Sequence, residues 1–74
     1  MDEVAELVLL RDEMIDTVST IRIALDEIER YIDEHPDGET DKLRRTRTRY
    51  RLQKMIYTDT LIYIESLITE RTER

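Results

Sequence analysis

His35 is the only imidazole in the chain, so any acid–base chemistry near neutral pH would centre on it. A general base needs a group to orient it and a pocket to hold its substrate. His35 lies in the segment His35-Pro36-Asp37-Gly38, which reads as an exposed turn and supplies neither. Ser19 and Ser66 have no histidine within helical reach, so they form no nucleophile–base pair. Asp12, Glu13 and Asp16 are a compact acidic group, but the Glu-x-x-His pairs that build metal sites in helical bundles are missing. The residue three before His35 is Ile32. With one histidine and no cysteine, imidazole clusters and thiolate metal sites are excluded. A single glycine leaves no loop able to cradle phosphate. The expectation is a chain with no catalytic residues, no cofactor and no metal.

The basic run is the other candidate. Between Lys42 and Lys54 there are seven basic residues and no acidic one, a pattern that suits phosphate contacts. It also suits an internal zipper. At about 100° per residue, Arg44, Arg47, Arg51 and Lys54 share one side of a helix, level with Asp26, Glu29 and Asp33 in an antiparallel partner. Lys42, Arg45 and Arg49 point elsewhere and are the candidate contacts for an anion or a protein partner. The net charge of −6 disfavours a general affinity for nucleic acid. The four tyrosines do not change this. Tyr50 and Tyr57 recur at the spacing of a packed seam, while Tyr31 and Tyr63 suit a half-wet interface.

The elements that would carry these residues are long helices. Gly and Pro each occur once, and both fall in the His35–Gly38 turn. A helix does not run easily through it. The chain therefore divides into a helix over 2–34, a turn over 35–38 and a helix over 39–73, within one domain spanning 1–74. Asp2 and Thr40 are the expected N-caps. In the first segment Val4, Leu7, Met14, Val18, Ile21, Leu25, Ile28 and Ile32 follow spacings of three and four, interrupted by Arg11. At its seam position Arg11 either packs its stem while its head reaches solvent, as a register-setting polar residue, or pairs with an acid, of which Asp59 and Glu65 are nearest. In the second segment Leu43, Tyr50, Tyr57 and Ile64 recur every seven residues, with Leu61 and Ile68 between them. A short connection makes the two helices antiparallel neighbours. The fold class is all-α, a two-helix antiparallel hairpin of coiled-coil type.

A chain of 74 residues is at the limit of what one core can stabilise, and without disulfides or metal the remaining remedy is self-association. The two runs Leu7-Val8-Leu9-Leu10 and Leu61-Ile62-Tyr63-Ile64 meet at the open end of the hairpin. Four consecutive apolar residues wrap around a helix, so one neighbour cannot cover them. Leu7, Val8, Leu9, Leu10, Leu61, Ile62, Tyr63 and Leu67 are thus the expected interface of a homodimer forming a four-helix bundle. These runs are far shorter than the roughly 20 residues of a membrane span. No secretory signal is visible, and a cytoplasmic, non-enzymatic protein-interaction or assembly module is expected, with a nucleic-acid-binding regulator using 42–54 as the alternative. Ten Arg against two Lys in an acidic chain also fits a halophile or its virus. No motif carries a resemblance to a known family.

Overall fold

The computed structural model describes residues 2–73. Two α-helices of 32 residues, α1 (Glu3–Glu34) and α2 (Asp41–Thr72), form an antiparallel hairpin of 58 × 15 × 14 Å. Ion pairs mark the direction of packing: Glu3 at the start of α1 meets Arg71 at the end of α2, and Glu29 near the turn meets Arg51. The described residues contain no strand.

Local chemistry sets the ends of α1. The Asp2 side chain accepts a hydrogen bond from the Val4 N–H at 3.1 Å, satisfying one of the first-turn donors that have no partner within the helix. Glu3 and Glu6 add negative charge beside the positive end of the helix dipole. At the other end the His35 backbone N–H donates to the carbonyls of Tyr31 and Ile32. The His35 ring Nδ1 lies 2.9 Å from the Tyr31 carbonyl, to which it can only donate, and the ring stacks on that of Tyr31 with centroids 4.0 Å apart. His35 therefore closes the C-terminus of α1.

The turn uses Pro36 as its second residue, and the Gly38 N–H donates to the His35 carbonyl at 3.1 Å. No described residue, Gly38 included, has positive φ. The turn therefore makes no use of the positive φ that glycine tolerates. A Cβ on Gly38 would meet the His35 Cβ and carbonyl oxygen at 3.4 Å, an ordinary contact. Gly38→Ala should accordingly raise stability by about 0.4–1 kcal/mol, by restricting the unfolded chain. Urea denaturation measures this, and a loss of stability would mean that the turn needs glycine after all.

Thr40 precedes α2 but does not cap it with its side chain. Its φ of −109° and ψ of 9° lie outside the extended region from which a cap hydroxyl reaches forward. The hydroxyl is instead buried and accepts a hydrogen bond from Arg44 Nε at 3.0 Å. Other threonines turn back on their own helices. Thr17, Thr20, Thr46, Thr48, Thr60 and Thr72 each donate to the carbonyl four residues earlier, at 2.8–3.1 Å.

The core is a single line of side chains. Met14, Ile21, Leu25 and Ile32 from α1 and Ile64 from α2 are buried. The α1 seam is thus the one its spacing predicts. The α2 seam is weaker: Leu43, Tyr50, Leu61 and Ile68 are half-buried, and Tyr57 is exposed rather than packed. Arg47, Lys54 and Thr58 share this side of α2, so its apolar contact with α1 is discontinuous.

Candidate docking surface

Two helices cover one stripe of each other, and the apolar residues left outside define the candidate site. On α1 these include Leu9, Leu10, Ile15, Ile23 and Tyr31; on α2, apart from Tyr57 at the edge of the seam, they are Leu52, Met55, Ile56, Ile62 and Tyr63. The expected open-end interface divides accordingly. Leu9, Leu10, Ile62 and Tyr63 are exposed, whereas Leu7, Val8, Leu61 and Leu67 are half-buried.

The α2 group has an order of its own. Leu52, Met55, Ile56, Ile62 and Tyr63 follow steps of three, four, ten and eleven from Leu52, which keep them on one side of a helix. At about 100° per residue their mean direction lies roughly 180° from that of the seam facing α1. α2 is therefore apolar on two opposite sides, one against α1 and one facing water. Sequence inspection for a single seam passes over Leu52, Met55 and Ile56, because the outer stripe is broken at Asp59 and Ser66.

The charged residues are arranged differently from the expected zipper. Arg51 Nη2 meets Glu29 Oε1 at 2.5 Å, the pairing expected at that height. Arg44 donates to Thr40, and Arg47 Nε is buried without a hydrogen-bond partner. Lys54 and Asp26 line the same groove as Arg51 and Glu29, together with Arg22 and Asp59. Arg11 pairs with its neighbour Asp12 at 3.4 Å instead of Asp59 or Glu65. Its side chain is one-third exposed, so the head reaches solvent and needs no carboxylate across the hairpin. Lys42, Arg45 and Arg49 are exposed on α2. Because both partners of the Glu29–Arg51 pair are about half exposed, Arg51→Gln should cost less than about 1 kcal/mol. Urea titration checks this, and a larger loss would make the pair a main support of the fold.

A second groove, lined by Ala24, Ile28, Tyr31, Leu43, Thr46 and Tyr50, runs along the opposite flank with Glu27 at its rim. The hairpin thus has one charged flank and one nearly neutral flank. Neither groove gathers a nucleophile, a base and an orienting group. Among the described residues no set of three or more His, Asp or Glu side chains is placed to hold a metal ion. Among the described residues no helix is long and apolar enough to cross a membrane.

Compared with known proteins, the chain matches no family model, no curated protein and no solved structure. The functional reading therefore rests on the surface itself: two opposed apolar sides of α2, the exposed leucines of α1, and a basic half of α2 that pairs with α1 through Glu29 alone among the ion pairs seen.

Proposed function

We propose that this chain is a non-catalytic helical module that self-associates into a four-helix homodimer in the cytoplasm and, in that form, docks on another protein as an adaptor or assembly factor. The observation that carries the reading is the exposed apolar side of α2, with Ile62 and Tyr63 62% and 64% exposed. Apolar side chains gathered on one exposed side of a small chain, even with a polar break, mark an interaction face. The thinness of the core supports the same reading. Among the described residues no side chain is fully buried, and a hairpin this small gains from any partner that binds only its folded form.

Sedimentation equilibrium at micromolar concentration tests the reading. The expected result is twice the chain mass of 9.0 kDa. A cooperative, fully helical monomer at that concentration would overturn it.

A further inference from the structure

The outer side of α2 carries a second seam at spacings of four and three: Arg45, Arg49, Leu52, Ile56, Asp59, Tyr63, Ser66 and Glu70. Met55 and Ile62 flank it. The steps read the same from either end. A seam of this kind can pack against an antiparallel copy of itself with every position matched, as a two-fold interface requires. Matching it so sets Leu52 against Tyr63, Ile56 against Asp59, Arg49 against Ser66 and Arg45 against Glu70 of the second copy.

The charges select this direction. The basic residues Lys42, Arg44, Arg45, Arg47, Arg49, Arg51 and Lys54 fill the first half of α2 beside a single acid, Asp41. Asp59, Glu65 and Glu70 lie in the second half with a single base, Arg71, which pairs with Glu3 of its own hairpin, and Glu73 follows it. Parallel pairing would put basic half on basic half, which is unfavourable at close range. Antiparallel pairing lays each basic half along the acidic half of its neighbour. Asp59, the charged residue nearest the centre, also lines the groove shared by Arg22, Asp26, Glu29, Arg51 and Lys54.

Resting on the self-association proposed above, we propose that the partner on this face is a second copy of the chain. It is held α2 to α2 in antiparallel register, with the two-fold axis between Tyr57 and Thr58. The outer seam lies about 180° from the inner one, so the four helices run in series, α1·α2·α2·α1, with the dimer contact at mid-helix instead of the open end. The matched seam from Arg45 to Glu70 is about 38 Å long.

The absence of cysteine makes the register testable by crosslinking. Arg45→Cys and Glu70→Cys chains are prepared separately, mixed, and treated with a short bismaleimide. The expected result is an Arg45→Cys/Glu70→Cys crosslinked dimer from the mixture and loss of crosslinking in either chain alone. Dominant crosslinks between two Arg45→Cys chains would mean parallel pairing and overturn the proposal, as would no crosslink at all. The same variants are weighed by sedimentation before crosslinking. Dimer mass without the unlike-chain crosslink sinks this register and leaves self-association standing. Monomer mass for the unsubstituted chain removes both.

Discussion

Ile56→Asp is expected to raise the dimer dissociation constant by on the order of 100-fold, roughly 2.7 kcal/mol. In the antiparallel register position 56 faces Asp59 of the second copy, so the substitution sets two carboxylates against each other on both sides of the two-fold axis. It also removes apolar area from the middle of the stripe, where interface energy concentrates. Ile56 is 59% exposed in the hairpin, so the same change costs the single hairpin little. The reverse design, Asp59→Leu, should tighten the dimer by continuing the stripe through its gap. Sedimentation of the three chains over a concentration series gives the constants. An Ile56→Asp chain that dimerises as tightly as the parent would place the contact elsewhere.

Ile64→Ala should cost about 2–4 kcal/mol of folding stability, although Ile64 lies two residues from the exposed Ile62. Ile64 is the most buried side chain of the hairpin, 4% exposed, and the only buried apolar residue of α2. Removing its branches opens a cavity that no neighbouring α2 residue can fill, because Leu61 and Ile68 already pack beside it at half burial. Cores of this size seldom contribute more than about 3–5 kcal/mol, so the variant should be largely unfolded at concentrations too low for association. Urea denaturation followed by circular dichroism measures the loss. A change under about 1 kcal/mol would mean that the α1 residues hold the helices together without it.

The two residues show what could be read before the structure. The α1 seam was legible because its spacing is sustained from Val4 to Ile32 with Arg11 alone interrupting, and Met14, Ile21, Leu25 and Ile32 are its buried members. The inner seam of α2 was legible only in part. Tyr57 occupies the right position but lies at the edge, since a phenol ring beside a single neighbouring helix keeps one side wet. The outer stripe is not legible as a seam because Asp59 and Ser66 break its apolar spacing. The Thr40 cap failed for a different reason. A hydroxyl caps only from an extended backbone, and Arg44 offered it a competing hydrogen bond. Lys42, Arg45 and Arg49 are exposed, but so are Arg44 and Arg51, and exposure alone does not name a partner.

The back-bonded threonines change how the hairpin responds to drying. Six hydroxyls that composition would count as hydrophilic already have their acceptor on the helix, so the donor of each needs no water. A polar group with its hydrogen bond made internally loses little when water leaves, whereas one bonded only to solvent must be compensated. The neutral flank around Thr46, with Thr17 and Thr60 at the same angle on their helices, is therefore cheaper to dehydrate than its residue types suggest. Withdrawal of water, whether by a neighbouring molecule or by concentrated solute, acts on that flank as it would on a surface of small aliphatic side chains.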